Sequence, residues 1–423
     1  MQAIQTLLWP ELGVSTEQHM YVRLAGPAGI SAKRRRIEMA AGGEAHFDTA
    51  ANLFNYRKWC RLCDLQTLGL QVRGAGRFEL VVFQAAPDKS WERLYEEVET
   101  LPENGMLQID LTDRLQGSDL SVLFFMVTAL GDCVIEEAAW TTADPMRRTP
   151  KLALSITTFN REAAVADSVR RFEDFVAQSP LSEHLHLIVV DNGNSAALIP
   201  SANFSPVVNR NLGGSGGFAR GLHEARSRGF THCLFMDDDA KVHMRALERV
   251  WWFLAYAKDL GVAVSGGLTQ ADARWRVWEN GAHFDRHCHP HWLGTDLRDF
   301  ASVLHMEHEN SRPQRKGYYG GWWFFAFAID GIKHWPFPFF VRGDDISFSI
   351  ANDLSIATLP GVICFQDADF SAKESLQTLY LDMRSHMIHH IVLPPLDRGR
   401  KDVLKIMAWF FTRSMMQCHY ESL

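Results

Sequence analysis

The stretch that decides the fold class covers residues 151–194, KLALSITTFNREAAVADSVRRFEDFVAQSPLSEHLHLIVVDNGN. An apolar run predicts a strand at its start, helical periodicity follows, and a second apolar run predicts another strand. The next segment, GGFARGLHEARSRG, is typical of a helix closed by Gly229, and LFMDDDA then predicts a third strand. Strand, helix, strand, helix and strand in this order indicate an α/β domain with a mostly parallel sheet.

Polar residues stand where each of these strands is predicted to end. The four clusters are 157–161, 191–194, 209–217 and 237–239. In open α/β sheets, ligands bind beyond the carboxyl ends of the strands. The sequence therefore predicts a nucleotide-binding crevice at this edge.

The first third of the chain has a different pattern. LGLQVRGAGRFELVVFQ, MLQIDLTDRL and LSVLFFMVTAL alternate with a period of two, which predicts an antiparallel β-sandwich or jelly roll. The polar, proline-containing segment TTADPMRRTP ends this pattern. We therefore expect a β domain over 1–148, an α/β domain over 149–378 and a helical region over 379–423.

Composition and charge exclude several classes of protein. The chain has 423 residues, 47% hydrophobic and 22% charged, with a net charge of −7, which argues against a general nucleic-acid binder. No apolar stretch reaches the ~18 residues of a membrane span, and the N-terminus lacks a secretory-signal pattern, so we expect a cytoplasmic protein. The seven cysteines predict no disulfide framework, and Cys60 and Cys63 lack a second pair at zinc-site spacing.

The C-terminal segment RGRKDVLKIMAWFFTRSMMQCHY mixes basic and apolar residues. As a helix it could lie on an anionic membrane surface or pack against the protein or a second copy of it. We expect packing, because its polar face is thin.

Three consecutive carboxylates, Asp237 to Asp239, follow an apolar strand, and burying them costs free energy unless a cation compensates. The preceding GSGGFA, from Gly214, fits a permissive dinucleotide-binding fingerprint, so a dehydrogenase is one interpretation. A capped helix beginning near Lys241 is another, whereas an EF-hand is excluded because no central glycine follows. Three hard carboxylates fit Mg²⁺ or Mn²⁺ on a nucleotide diphosphate better than they fit ribose recognition or a cap.

Six motifs together resemble one enzyme family. SITTFNR, VVDNGN, NRNLGGSGGFARG, LFMDDDA, YGGWWFFAF and FVRGDD occur in the order found in family 2 glycosyltransferases of the GT-A type. They look most like the bacterial galactofuranosyltransferases that polymerise galactan, and the N-terminal module with NLFNYRKW is similar to the jelly-roll domain of those enzymes. The resemblance implies a Rossmann-like GT-A fold for residues 149–378.

The resemblance also implies roles for residues of this chain. Asp237 and Asp239 would hold the metal ion, and Asp345, oriented with Asp344, would be the general base. Gly321, Trp322 and Trp323 would contact the donor and acceptor sugars. The nucleotide would be bound by Thr158, Asn160, Arg161, Asp191, Asn211, Gly214, Gly217, Arg220 and Asp238.

Two of these motifs could instead have a purely structural role. YYGGWWFFAF is apolar enough to be only a buried strand, and Asp344 or Asp345 could simply cap a helix over ISFSIAN.

This chain departs from the family pattern in two places. The family continues its acidic motif as W-D-D-A-D, where this chain has Gly343 and Ser347, and it places a metal-binding histidine where this chain has Gln366. Asp367, Asp369 or a histidine of DRHCHPHW (residues 285–292) could complete the metal site. Within that segment, His287, Cys288, His289 and His291 lack a second pair of zinc ligands at usable spacing, so we expect a surface loop near the acceptor.

The function expected from the resemblance is a metal-dependent, inverting transfer of galactofuranose from UDP-galactofuranose to a bacterial glycan, such as an O-antigen or galactan. The acceptor would be a glycan or a lipid-linked oligosaccharide. This role fits a cytoplasmic enzyme. We further expect peripheral contact with the inner face of the membrane, and self-association. The alternatives are a transferase for another nucleotide sugar and a noncatalytic glycan-binding protein with a degenerate transferase domain.

Overall fold

A computed structural model describes residues 1–115, 122–366, 376–416 and 418. The N-terminal part contains one helix and nine strands in that described portion. They are β1 (Gln2–Thr6), β2 (Arg23–Ala25), β3 (Ala28–Ser31), β4 (Arg36–Met39), β5 (Glu44–His46), β6 (Phe54–Asn55), α1 (Tyr56–Cys63), β7 (Gly69–Ala85), β8 (Glu92–Asp110) and β9 (Val122–Thr142).

Strand β9 organises this part of the molecule. One of its edges pairs with β7 along nearly its whole length, and its other edge pairs in turn with β6, β5, β4 and β1. Every one of these ladders is antiparallel. The predicted antiparallel β module is therefore present, while its finer assignment as a jelly roll stays a prediction.

Strand β8 forms the outside of a long β7–β8 ribbon. Among the described residues it pairs with β7 alone, so its second edge faces outward. Its side chains are mostly exposed, and six of them are carboxylates: Glu92, Glu96, Glu97, Glu99, Glu103 and Asp110. Charge on an exposed edge strand opposes pairing with another chain.

The second part of the chain alternates strands and helices. Its strands are β10 (Leu152–Thr158), β11 (Leu185–Asp191), β12 (Phe204–Val208), β13 (His232–Asp237), β14 (Lys241–Val242), β15 (Val262–Thr269), β16 (Val277–Glu279), β17 (Ala282–Phe284), β18 (Cys288–Pro290), β19 (Tyr318–Tyr319), β20 (Phe324–Ala328) and β21 (Ser355–Phe365). Its helices are α2 (Glu162–Val176), α3 (Gly213–Ser227), α4 (Ala246–Tyr256), α5 (Phe300–Glu309), α6 (Asp344–Ala351), α7 (Leu376–Val392) and α8 (Gly399–Met416).

The main sheet of this part has the order β12-β11-β10-β13-β20-β15-β21-β14, with β16 beside β15. Four of its described ladders are parallel and four are antiparallel. The expectation of a mostly parallel sheet is therefore corrected to a mixed sheet. Two of the antiparallel ladders come from β20, which lies between β13 and β15, and the other two come from β14 and β16 at the margins of the sheet.

The parallel half of the sheet agrees with the sequence prediction and sets the position of the polar clusters. The register pairs Thr158 with Asp191 and Thr157 with Asp237, so the three strand ends meet at one edge. Gly229 follows α3 with a φ of +77°, as predicted for the residue that closes this helix.

The two parts of the chain share buried contacts. The Lys58 ammonium on α1 donates to Glu307 Oε2 and to the Thr358 carbonyl oxygen, both at 2.7 Å. The buried Arg249 guanidinium on α4 donates to the carbonyl oxygens of Ala51 (2.5 Å) and Pro360 (2.7 Å). These contacts tie the β module to the mixed sheet, and the proposed domain boundaries stay predictions.

Two helices follow the sheet. Helices α7 and α8 pack together and bury Ile406 and Phe410, while Trp409 and Phe411 of α8 are exposed. Within the described ranges, every helix is too short or too polar to span a bilayer.

Candidate active site

A cavity of about 500 Å³ opens where the strand ends meet α3, α6 and the Gly-Trp-Trp segment. Six residues that the sequence nominated line it, namely Gly214, Asp237, Trp322, Trp323, Asp344 and Asp345. Its wall also includes groups from β16, the β17–β18 hairpin, α7 and α8. Segments far apart in the chain therefore converge on one open cavity.

The three aspartates after β13 take different positions. Asp237 lines the cavity, whereas the buried Asp238 accepts hydrogen bonds from Thr158 Oγ1 (2.8 Å) and from Arg161 (2.9 Å). Asp239 is half-exposed and also pairs with Arg161, at 2.6 Å. Burial raises the pKa of Asp238, although its bonds to Thr158 and Arg161 counteract this effect. Asp238 therefore ties the triplet to the protein interior, and the two flanking carboxylates lie toward the edge.

The interpretation of the triplet as a cap for a helix near Lys241 is wrong. Lys241 and Val242 form the short strand β14, and α4 begins only at Ala246 with Arg245 as its N-cap. The three carboxylates therefore have no adjacent helix to cap.

The end of β21 lies close to this acidic edge. Burial raises the pKa of the Cys364 thiol, and the negative charges of Asp237 and Asp239 raise it further. Gln366 stands two residues further on and is buried. Carboxylate oxygens are hard ligands that suit Mg²⁺ or Mn²⁺, so the aspartates at this edge fit the expected cation. Asp367 and Asp369, the alternative ligands, lie outside the described residues.

The predicted nucleotide loops are held by their own hydrogen bonds. The Asp191 carboxylate accepts from the backbone amides of Gly193 (2.9 Å), Ser195 (2.9 Å) and Ala196 (2.8 Å). Asn211 Oδ1 accepts from the Gly213 amide at 3.1 Å. Asn160 adopts the left-handed backbone conformation directly before Arg161. These side chains shape the loops at the strand ends.

Three residues of the glycine-rich motif were predicted to bind the nucleotide, and they take different positions along α3. Gly214 faces the cavity near Asp344. A Cβ atom at Gly217 would approach Thr157 Cγ2 to 2.1 Å, so this glycine allows the helix to pack closely on β10. Arg220 pairs with Glu224 one turn along the helix and is not part of the cavity lining. Of these three, the structure brings only Gly214 to the cavity.

The two tryptophans of the Gly-Trp-Trp segment have different surroundings. Trp322 is almost fully buried and makes edge contacts with Phe218, Phe235 and Phe348. Trp323 donates its indole N–H to the Gly266 carbonyl oxygen at 2.8 Å, and its ring lies against Gly321. Residues Gly320 to Trp323 lie between β19 and β20, so the strand interpretation holds for the two ends of the motif and not for its Gly-Trp-Trp centre. Both rings remain available as apolar walls of the cavity.

The acidic pair forms the first turn of α6, after Gly343 with a φ of +86°. Ser215 Oγ donates to Asp344 Oδ2 at 2.9 Å, and Asp345 Oδ1 accepts from the Ile346 amide at 2.8 Å. Burial raises the pKa of both carboxyls, and the neighbouring Asp344 raises that of Asp345 further. A carboxylate with a raised pKa is a stronger base than an exposed one.

Another cavity-lining carboxyl group, Glu279, was missed by the sequence analysis. It ends β16, lines the cavity and is 5% exposed, and in the described structure its Oε1 atom has no hydrogen-bond partner. Burial, together with the charge of Asp345, raises the pKa of Glu279 to about 8. A single glutamate in an apolar strand carries no motif, so its position in the cavity appears only in the fold. Arg342 and His386 also line the cavity without having been nominated.

Comparison with known proteins finds sequence relatives of one kind. No family model matches this chain. It is 23% identical over 387 residues to the galactofuranosyltransferase GlfT2 of Mycobacterium tuberculosis and 23% identical over 392 residues to that of Mycolicibacterium smegmatis. These alignments cover 84% of this chain but 59% and 58% of the relatives, so the chain spans about three-fifths of their length. The resemblance to galactofuranosyltransferases that the motifs indicated is confirmed.

Solved structures give weaker likenesses. A mannosyltransferase from Pyrobaculum calidifontis in complex with GDP-Man and Mn²⁺ has a TM-score of 0.40 and 14% identity, over 63% of this chain and 73% of that one. Glucosyl-3-phosphoglycerate synthase from Mycobacterium tuberculosis has a TM-score of 0.32 and 13% identity, over 59% and 81%.

Proposed function

We propose that this protein is a glycosyltransferase that moves galactofuranose from UDP-galactofuranose to a hydroxyl group of a bacterial glycan, with inversion and with a divalent cation. The observation that carries the proposal is the single cavity lined by Asp237, Asp344 and Asp345. Two acidic motifs separated by about a hundred residues of sequence meet there, and glycosyl transfer needs one acidic group for the metal-diphosphate and another for the acceptor.

Asp237 and Asp239 would hold Mn²⁺ or Mg²⁺. The cation would neutralise the diphosphate of the departing UDP. Arg161 already compensates the charge of Asp239, at 2.6 Å, and its exposed guanidinium can turn to a phosphate oxygen once a cation takes over that role. Asp238 would stay fixed by Thr158 and support the loop from behind.

The nucleoside would lie across the strand ends beyond β10 and β11. Thr158, Asn160 and Asp191 shape this surface, with Asn211 at the entry to α3. Arg342 adds a positive charge to the cavity wall near the acidic pair, where a phosphate would be attracted.

Asp345 would take the proton of the acceptor hydroxyl as this oxygen attacks the anomeric carbon. Asp344, held by Ser215, would orient the acceptor. Trp322 and Trp323 would pack against the C–H surfaces of the sugars, and Gly321 allows the Trp323 ring to lie close to the backbone.

The β module over 1–148 would serve acceptor binding or assembly, and its jelly-roll character is part of this proposal. A different nucleotide sugar would fit the same cavity. A noncatalytic glycan-binding protein is the second candidate, because Gln366 stands where the resembling enzymes have a histidine ligand.

The test is a panel of UDP-sugars, with and without Mn²⁺, measured by thermal stabilisation and by UDP release with oligosaccharide or lipid-linked acceptors. We expect UDP-galactofuranose with Mn²⁺ to raise the melting temperature and to yield UDP. The variant Asp345→Asn should retain the stabilisation and lose the UDP release. If UDP-sugars raise the melting temperature of the unmodified protein but no UDP is released with any acceptor or sugar, the result would favour the noncatalytic alternative.

A further inference from the structure

Five metal-ligating side chains stand at alternate positions along one β-hairpin. The hairpin is β17–β18, and its strands pair His283 with His289. These two paired residues therefore lie on the same face of the hairpin, and the turn between the strands carries Asp285 and His287. The alternating set is His283, Asp285, His287, His289 and His291. Cys288 directly precedes His289 in β18, so its side chain points to the opposite face from that histidine.

The side chains of this set are in mutual contact. His289 Nε2 lies 2.9 Å from Asp285 Oδ1, and the His287 and His289 ring centres are 4.1 Å apart. Ligand atoms of Asp285, His287 and His289 all lie within 4.8 Å of one another. Tetrahedral zinc ligands at about 2.0–2.1 Å from the ion stand about 3.3 Å apart, so small side-chain rotations would close this set around a cation.

The second pair of histidines supports the first set. His283 stacks on His289 with ring centres 4.6 Å apart, and its Nδ1 lies 2.8 Å from His291 Nε2. These contacts fix the ring orientation of His289 from behind. Partners that orient a ligating histidine are a regular part of metal sites.

We propose that Asp285, His287 and His289 bind a divalent transition-metal ion of the zinc type, at a site separate from the carboxylates of Asp237 and Asp239. Two imidazoles and one carboxylate leave a fourth tetrahedral position to water or to a ligand oxygen. Imidazole favours Zn²⁺, Co²⁺ or Ni²⁺, whereas an all-oxygen set suits Mg²⁺ and Mn²⁺. The chain would then hold two cations of different chemistry.

The position of the hairpin gives this site a structural effect. His287 stacks on Trp409 of α8 with ring centres 5.2 Å apart, and Arg286 lies 3.6 Å from Asp402 of the same helix. His287 also lines the cavity described above. A bound ion would therefore fix both the cavity wall and its contact with α8.

The experiment titrates the full chain, carrying no polyhistidine tag, with Co²⁺ in excess Mg²⁺, which fills the all-oxygen site. Bound Co²⁺ is detected by its visible absorption and Zn²⁺ by its displacement of Co²⁺. The variants are His287→Gln and His289→Gln. The matched control is His305→Gln, an exposed histidine of α5 that touches the Trp292 ring but lies outside the alternating set.

We expect one Co²⁺ per chain, an absorption spectrum typical of four-coordinate cobalt, and displacement by Zn²⁺. Either hairpin variant should weaken binding by at least tenfold, while the control binds as the unmodified protein does. Melting temperatures without metal verify that each variant is folded, and metal should raise the melting temperature only where it binds. No stoichiometric binding by the unmodified protein, or equal affinity in folded hairpin variants, would overturn the proposal.

Discussion

The buried ion pair between Lys58 and Glu307 gives the clearest test of how the two parts of the chain depend on each other. Replacing Lys58 by Met keeps much of the side-chain volume but removes the ammonium. The buried Glu307 carboxylate then loses its 2.7 Å partner, and among the described residues only Asn55 still donates to it, at 2.8 Å. The Thr358 carbonyl oxygen also loses a 2.7 Å donor.

The expected loss of stability follows from these contacts. Removing one partner of a buried pair costs about 3–5 kcal/mol, and the unsatisfied carbonyl contributes part of that cost. Domains have a free energy of unfolding of about 5–15 kcal/mol, so this single substitution should remove about a fifth of it or more. The double variant Lys58→Met with Glu307→Met should recover much of the loss, because no charge remains buried alone.

Urea unfolding at fixed pH measures these differences, followed separately in the β module and the mixed sheet. The control is Arg170→Met, which breaks exposed pairs with Asp167 and Asp174 and should leave the stability almost unchanged. A loss for Lys58→Met no larger than that of the control would refute the reasoning. Separate unfolding of the two parts in the unmodified chain would instead support independent domains.

Further predictions concern the site. Asp237→Ala or Asp239→Ala should weaken Mn²⁺-dependent UDP binding and nearly abolish transfer, whereas unchanged UDP affinity with Mn²⁺ would remove them from the metal site. Gln366→His should tighten Mn²⁺ binding, because imidazole is the better ligand; unchanged affinity would mean that the ligand shell is already complete. The variant Asp345→Asn should lower turnover by a factor of about 10² to 10⁴ while UDP binding stays intact. Because the pKa of Asp345 is raised, the rate-pH profile of the unmodified protein should show activity lost on acidification at a higher pH than the ordinary pKa of an aspartate. Because the pKa of Glu279 is raised to about 8 in the folded protein, its contribution to stability is fully present below the ordinary pKa of 4.5 and is lost as the pH rises toward about 8. The variant Glu279→Gln should flatten this decline of the free energy of unfolding with pH, measured by urea unfolding. An unchanged slope would contradict the prediction.

The sequence predicts the parallel half of the sheet well, because its signals are local. Apolar runs define β10, β11 and β13, and Gly229 closes α3 where the pattern indicated. The position of β20 was not predictable, because an apolar run such as Phe324–Ala328 contains no information about strand direction or neighbours. Strand β20 accounts for two of the four antiparallel ladders in the sheet.

The residues of the candidate site were also predictable only in part. Asp237 and the acidic pair could be nominated, because consecutive carboxylates after a strand or before a helix are visible in one segment. Gly217 could not be assigned correctly, since its proximity to Thr157 exists only after α3 packs on β10. Glu279 was invisible for a related reason: its raised pKa comes from burial beside Asp345, which is distant in sequence.

The β7–β8 ribbon has a consequence for how this protein behaves at high concentration. A strand of nineteen residues with one open edge could recruit the same strand from another molecule and begin a fibrous aggregate. Six carboxylates along β8 make that approach repulsive for an identical copy. Protonation at acidic pH would remove this repulsion, so colloidal stability should fail first along this ribbon, well away from the cavity and its chemistry.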